Sequence, residues 1–456
     1  MTLKCLILPN SPEEFLMSKP VVAVVGRPNV GKSTFFNRIV GKRVSIVEDT
    51  PGVTRDRIYA EAEWRGVFFA LIDTGGIEPS NSEVIPSRMR EQAQIAIETS
   101  DVILFMVDGK QGLTAADREV GEMLTRAGRK VILIVNKIDS PKLPDDFYDF
   151  YELGLGEPHA ISSANMFGLG DVLDKVVESF PKTDPEEEDD VIKIAVAGKP
   201  NVGKSSFVNC ILGEERVIVS DIAGTTRDAI DTPFEKDGDK YILIDTAGVR
   251  RRARVNDDIE RYSVIRAFAA IERCDVCVLM IDAQDGITEQ DKKIAGIAHE
   301  AGVGIIVVVN KWDLIEKQTN TMKEFEKNIK KEIQFMSYAP MVFISVHERQ
   351  RVLKVIDMAK TISENRALRV STGQLNNLIA DATMMKQPPS DKGKRLKIYY
   401  ATQVAVKPPL FSFQINNREL MHFSYSRYLE NKIREAYNFE GTSIKFVFRE
   451  KGENED

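Results

Sequence analysis

Two octapeptides of one pattern stand in this chain, Gly26-Arg27-Pro28-Asn29-Val30-Gly31-Lys32-Ser33 and Gly198-Lys199-Pro200-Asn201-Val202-Gly203-Lys204-Ser205. Residues of these types at G-x-x-x-x-G-K-S spacing suit one chemistry, the holding of a polyphosphate. The glycines let the backbone curl so that successive N–H groups converge, and the lysine neutralises the outer phosphates. The serine hydroxyl, here Ser33 or Ser205, falls where it can ligate magnesium. A glycine-rich loop standing alone is often only a tight turn. Here each copy follows an apolar run, Val21–Val25 or Ile192–Ala197, that reads as a buried parallel strand, so the strand-loop-helix context is met twice.

Three further clusters recur in register with the loops. Asp73-Thr74-Gly75-Gly76 and Asp245-Thr246-Ala247-Gly248 each end an apolar run. There the aspartate can hold magnesium through water, and a glycine N–H can sense a terminal phosphate. Asn136-Lys137-Ile138-Asp139 and Asn310-Lys311-Trp312-Asp313 end two later runs. A carboxylate at Asp139 or Asp313 can accept from N1–H and the exocyclic amine of guanine, a pair of donors that adenine does not present, so this motif selects GTP over ATP. Between each phosphate loop and its D-x-x-G motif lies a Pro/Gly/Thr-rich stretch, 49–56 or 221–228, whose Thr54 and Thr226 are candidate switch residues able to close on magnesium and a terminal phosphate. The residues after the D-x-x-G motifs are Ile77 and Val249, which cannot orient water by hydrogen bonding. Neither side chain can take up a proton, so neither is a catalytic base.

These loops need a scaffold, and the pattern supplies it. From Pro20 to about Lys182, apolar β-rich runs (Val67–Ile72, Val102–Val107, Val131–Val135) alternate with amphipathic stretches (Glu83–Thr99, Ala115–Ala127), as in an α/β fold with helices wrapped on a mostly parallel, doubly wound sheet. The whole pattern then repeats at a nearly constant spacing, which a duplicated domain explains. The expected organisation is an N-terminal extension over 1–16, first domain 17–182, acidic linker 183–190, second domain 191–364, small α/β domain 365–450 and polar tail 451–456. In the third domain the patterning predicts helices over Thr372–Met385 and Tyr425–Tyr437 and strands over Leu396–Val406, Leu410–Asn416 and Ser443–Phe448.

Composition narrows the classes. The 456 residues are 43% hydrophobic, enough for sizeable cores, and the net charge of −7 argues against a protein that coats nucleic acid uniformly. Four cysteines give no disulfide framework, which points to a reducing cytoplasm. Cys274-x-x-Cys277 has no second pair and is expected to sit in the core, its two side chains on opposite faces of a strand. The four histidines, His159, His299, His347 and His422, are isolated and are expected to be packed or solvated rather than metal-bound. No apolar run approaches the ~20 residues needed to cross a bilayer, so no membrane role is expected.

Together the motifs resemble those of the translation-factor-related GTPases. The tandem G-x-P-N-V-G-K-S, with D-T-P-G-V-T-R-D (49–56) and D-I-A-G-T-T-R-D (221–228), is similar to the bacterial Der (EngA) family over Met17 to Arg449. That resemblance implies a GTP hydrolase acting in assembly of the large ribosomal subunit, with GTP/GDP and Mg2+ as ligands, the subunit and its rRNA as partners, and a KH-like C-terminal domain. It also implies a potassium ion held in part by Asn29 and Asn201, supplying what Ile77 and Val249 lack. Base-recognition serines are implied at Ser162 and Ser345, although the second stretch, Ile344-Ser345-Val346, lacks the glycine-rich continuation Gly168-Leu169-Gly170 of the first.

The third domain has more basic than acidic side chains. Lys392, Lys394, Arg395 and Lys397 cluster ahead of Tyr399, Tyr400 and Lys407. It contains no G-x-x-G, so the backbone clamp of ordinary KH domains is missing and docking on folded RNA or on the neighbouring domains is expected instead. Arg250-Arg251-Arg252-Ala253-Arg254 is a further basic run. The expected species is a monomer. Two rival readings are a scaffold that uses GTP structurally with little hydrolysis, and a tRNA-modification GTPase. The second would carry a cysteine near the C-terminus, whereas the last one here is Cys277.

Overall fold

The computed structural model describes residues 19–40, 59–74, 85–140, 142–180, 191–214, 217–219, 231–245, 259–316, 318–391 and 393–450. The expected extension 1–16, linker 183–190, tail 451–456 and the basic run 250–254 lie outside the described residues. The first unit contains β1 (Val21–Val25), β2 (Tyr59–Trp64), β3 (Val67–Asp73), β4 (Val102–Asp108), β5 (Lys130–Asn136) and β6 (His159–Ala160). They form one sheet in the order β2-β3-β1-β4-β5-β6, parallel throughout except for β2 against β3. Every residue of β1 is fully buried, as a central strand covered by helices on both faces must be. Because β1 lies between β3 and β4, the loops at their carboxyl ends open a crevice at the topological switch point.

The second unit repeats this plan with β7 (Val191–Ala197), β8 (Val217–Val219), β9 (Thr232–Lys236), β10 (Asp239–Ile244), β11 (Val276–Asp282), β12 (Gly304–Asn310) and β13 (Met341–Phe343). Their order is β13-β12-β11-β7-β10-β9-β8, the same topology plus one edge strand, β8. Even the caps recur. The helix Ala115–Ala127 opens on a Thr114/Asp117 capping box and ends on Gly128, and the helix Glu289–Ala301 opens on Thr288/Asp291 and ends on Gly302. Both glycines are left-handed (φ 66° and 71°), the conformation that ends a helix at no side-chain cost. Duplication therefore extends from the motifs to the scaffold that holds them.

The C-terminal unit follows the helix Val352–Arg366. It comprises the helix Thr372–Met385, a small hairpin of β14 (Ser390–Asp391) and β15 (Lys394–Arg395), then β16 (Ile398–Ala405), β17 (Leu410–Ile415), the helix Phe423–Ala436 and β18 (Lys445–Glu450). Strands β16 and β17 are antiparallel and β17 and β18 parallel. The expected strand Leu396–Val406 is shortened to Ile398–Ala405. Lys394–Arg395 pair back onto Ser390–Asp391 through the left-handed Gly393, and Leu396 turns inward, so the main strand starts at Ile398. The expected alternation holds: Phe411, Phe413 and Ile415 are fully buried while Ser412 and Gln414 face outward.

Cys274 and Cys277 are both buried and free, and both belong to one hydrophobic cluster, so the expectation of opposite faces is corrected. Cys274 precedes β11 and is not subject to its alternation. Burial pushes the Cys277 thiol up to about 12, leaving it inert as a nucleophile.

The C-terminal unit packs on the second unit. Ile305 N–H donates to Gly441 O (2.8 Å) and Gly441 N–H donates to Tyr338 O (3.0 Å), while at the end of the preceding helix Arg366 Nη1 reaches both the carbonyl (2.7 Å) and the carboxylate (3.0 Å) of Asp275. In this seam His299 Nδ1 lies 2.7 Å from the Tyr338 hydroxyl, edge-on to Phe335. Arg434 stacks over Tyr338, and Lys445 binds Glu300 O. Burial, with help from the Lys445 and Arg434 charges, pulls the imidazole down to about 4. The unfolded histidine titrates near 6.5, so its stabilising effect is whole above that pH and lost as pH falls toward 4. His299 is only partly buried, and solvent screening brings the effect to about 2 kcal/mol. Unfolding midpoints recorded from pH 7.5 to 4.5 are expected to fall more steeply for the native chain than for His299→Gln; parallel slopes would remove the assignment.

Candidate functional site

The loop between β1 and the helix Lys32–Val40 curls over its own lysine: Lys32 Nζ donates to Gly26 O (2.5 Å) and Arg27 O (2.7 Å). Gly31 holds φ 103°, and a Cβ there would collide with Nδ2 of Asn136, so glycine is required twice over at this point. Ser33 Oγ donates to Asp73 Oδ2 (3.0 Å), which places one hydroxyl and one buried carboxylate side by side at the mouth of the loop. Those are the hard oxygen donors that magnesium takes, so the residues present fit that ion. Thr74 turns inward and donates to Val24 O (2.6 Å), a tether for the end of β3.

Asn136 occupies a position the sequence reading assigns to guanine, yet its side chain bridges two loops. Its Nδ2 donates to Val30 O (2.7 Å), and its Oδ1 accepts from Ser163 N–H (2.9 Å) and Ser163 Oγ (3.0 Å). Asp139 is the exposed member. Its Oδ1 accepts from Ser162 Oγ (2.7 Å) and Asn165 Nδ2 (3.1 Å), and its Oδ2 from Lys110 Nζ (2.7 Å). The Lys110 hydrogen bond, then that of Ser162, holds the Asp139 carboxyl below its usual range, ready as an acceptor. Lys137 pairs with the buried Asp108 (2.6 Å), and Ile138 is packed beneath. Pro28 and Asn29 are exposed and Val30 is buried; Asn29 takes a left-handed φ of 65°.

The second unit assembles the same parts with looser fittings. Lys204 Nζ donates to Gly198 O and Lys199 O (both 2.7 Å), and burial pulls its ammonium down to about 8. Asn310 Nδ2 donates to Val202 O (2.9 Å) and its Oδ1 accepts from Val346 N–H (3.1 Å), without the extra hydroxyl bond that Ser163 provides. Lys311 pairs with Asp282 (2.5 Å), Trp312 is buried beside Phe343, and Ser345 Oγ accepts from Glu348 N–H (3.1 Å). Asp245 stands at the end of β10 with φ 55°, its N–H bonded to Asp231 Oδ1 (3.0 Å). Pro200 and Asn201 match their counterparts in the turn, with Asn201 at φ 61°. Thr54, Gly75, Gly76, Ile77, Thr226, Thr246, Ala247, Gly248 and Val249 lie outside the described residues.

Several side chains that shape the site were not singled out by sequence reasoning: Asp108 and Asp282, Lys110, Asn165, and the pair Asp117 and Asp291. Aligning the two halves would have exposed the aspartates, since each recurs in register. Among the described residues no cluster of His, Cys, Asp and Glu suits a metal centre, and no helix is long and apolar enough to cross a membrane. On the third unit Lys394, Arg395 and Lys397 are exposed, and a β-bulge between Ile398 and Tyr400 turns both Tyr399 (48% exposed) and Tyr400 (46%) outward. Lys407 is half-buried near Arg366 and does not join them, while Lys392 lies outside the described residues.

Comparison with known proteins agrees with this architecture. Residues 21–137 and 193–311 each match the family model described as a 50S ribosome-binding GTPase, and residues 369–449 match the KH-domain-like C-terminal domain of EngA bacterial GTPase enzymes. GTPase Der of Alkaliphilus metalliredigens is 62% identical over 95% of this chain and 99% of its own length; that of Acetivibrio thermocellus is 61% identical over the same shares. Among solved structures, Era in complex with MgGDPNP and nucleotides 1506–1542 of 16S ribosomal RNA covers 57% of this chain and 93% of its own at 21% identity. Its TM-score is 0.30. With two phosphate-loop domains, a KH-like third domain and near full-length relatives of this identity, the chain belongs to the Der family of GTPases.

Proposed function

We propose that each unit binds GTP with Mg2+ and hydrolyses it with help from K+, and that the nucleotide state governs attachment of this cytoplasmic, monomeric protein to the large ribosomal subunit during assembly. The single observation that supports this best is the doubled site: at the carboxyl ends of parallel strands, a phosphate loop and an N-K-x-D carboxylate are joined by one buried asparagine in each unit. The main-chain N–H groups of the loops 26–33 and 198–205, Pro28 and Pro200 apart, would cradle the phosphates. Asp139 and Asp313, steadied by Ser162 and its counterpart Ser345, would read guanine. Ser33 with Asp73 and Ser205 with Asp245 would hold magnesium, which when bound offsets the charge on the phosphates. Thr54 and Thr226 are the proposed switch threonines. The exposed amides of Asn29 and Asn201 offer the oxygen type that a potassium ion takes, beside loops whose following motifs lack a water-orienting side chain.

Large-subunit attachment is supported by the family description and by the exposed basic and tyrosine face of the third unit. Turnover is expected to rise by about tenfold or more when NaCl is replaced by KCl, the size of one added transition-state charge contact. Equal rates would remove the potassium reading and favour the scaffold alternative. Co-sedimentation with ribosomal particles in a GTP analogue is expected to differ from that in GDP; identical profiles would remove nucleotide control.

A further inference from the structure

The two phosphate loops are near copies in sequence but are anchored differently. In the first, Arg27 Nε donates to Asp117 Oδ1 (2.9 Å) and Arg27 Nη1 donates to Gln111 Oε1 (2.9 Å). Asp117 is fully buried, and the Arg27 side chain is 12% exposed. The second carboxylate oxygen of Asp117 accepts from Thr114 N–H (3.1 Å) and Thr114 Oγ1 (2.7 Å), so the aspartate is fixed to the N-terminus of the helix Ala115–Ala127. The carbonyl of Arg27 in turn accepts from Lys32 Nζ. A rigid helix end therefore holds the residue that holds the phosphate-loop lysine.

The second unit breaks this chain at one atom. Asp291 is fully buried at the corresponding place, and its Oδ2 accepts from Thr288 N–H (3.0 Å) and Thr288 Oγ1 (2.7 Å) as before. Its Oδ1, the counterpart of the atom that takes Arg27, is buried and receives no side-chain donor among the described residues; only the main-chain N–H of Lys199 faces the carboxyl. Lys199 stands where Arg27 does, and its ammonium pairs with Asp285, whose side chain is 57% exposed. The difference follows from chemistry. A guanidinium presents Nε partway along the side chain as well as two terminal nitrogens, so it can meet Asp117 and Gln111 together, whereas lysine carries all its donors on one tip. Burial pushes the Asp291 carboxyl up, outweighing the Thr288 hydrogen bonds and the Lys199 charge and main-chain N–H that pull it down.

We propose that Asp117, acting through Arg27, is a positioning residue that locks the first phosphate loop, and that the second loop lacks this lock and so releases guanine nucleotide faster. The inference rests on the reading that both loops hold GTP. The lock acts on the loop whichever phosphate state is bound, so it changes affinity and KM while leaving kcat nearly constant.

The test uses the full chain with one site disabled, Lys204→Ala to observe the first loop and Lys32→Ala to observe the second, and follows release of a fluorescent GDP. Release from the first site is expected to be about tenfold slower, the worth of one charge-assisted hydrogen bond. Arg27→Lys is expected to quicken it by about that factor, raise KM alike, and leave kcat within about twofold. Asp117→Asn is expected to act similarly, and the two together no more than either alone. Lys199→Arg supplies the missing donor and is expected to slow release from the second site, a gain that mere damage to the loop cannot produce. Absence of nucleotide at both sites would sink the functional reading itself. Binding at both sites with equal release rates, or no slowing by Lys199→Arg, would overturn the lock.

Discussion

Asp139→Asn, in a chain whose second loop is disabled by Lys204→Ala, is expected to weaken GTP binding by roughly 10³- to 10⁴-fold, the discrimination available when a site built to accept two hydrogen bonds loses them. The carboxylate accepts from both N1–H and the exocyclic amine of guanine, and the asparagine replaces one acceptor with a donor that faces another donor. Xanthine carries a carbonyl where guanine carries that amine, so the same variant is expected to gain affinity for XTP. The surroundings favour a clean exchange, because Ser162 and Asn165 hold Oδ1 and Lys110 holds Oδ2 from a surface position. Isothermal titration with GTP, XTP and ATP decides it. A fall for GTP with no gain for XTP, at an unchanged unfolding midpoint, would mean that Asp139 does not face the base.

The second site has a different entourage, and this bears on how much was legible from the sequence. The motifs announced the strands, the loops and the duplication, because each motif residue stands at the end of an apolar run that can only be a buried strand. Asp139 was found that way. Lys110, which caps it, was not, since it lies 29 positions away in a loop that carries no pattern of its own. The same holds for Arg27 and Asp117, separated by 90 residues: periodicity places Asp117 at a helix start, but only the packed sheet shows which loop it faces. The bridging contacts of Asn136 and Asn310 are of the same kind. A polar residue three positions before a base-reading aspartate suggests the base, and the buried carbonyl of Val30 or Val202 behind it cannot be inferred from one dimension.

That hidden contact carries the other large effect. Asn310→Ala is expected to remove two hydrogen bonds at once, from Nδ2 to Val202 O and from Val346 N–H to Oδ1, at a residue 3% exposed. It leaves the buried carbonyl of Val202 and the half-buried amide of Val346 without these partners, a loss of about 2–4 kcal/mol by the cost of unmet polar groups. Because one side chain ties the phosphate loop to the base-reading loop, the loss should appear at both ends of the nucleotide: affinity for GTP and for inorganic triphosphate should fall together at the second site. Gly203→Ala approaches the same joint from the other side. Its φ of 104° disfavours alanine, and the added methyl would run into Nδ2 of Asn310. In the Lys32→Ala background, the double variant Asn310→Ala with Gly203→Ala is expected to be little worse than either single change, because removing the asparagine also removes the clash. Strictly additive losses would show that the two residues act independently and that the bridge does not couple the loops. Asn136→Ala should fall further still in the first unit, where Ser163 adds a third hydrogen bond to the same amide.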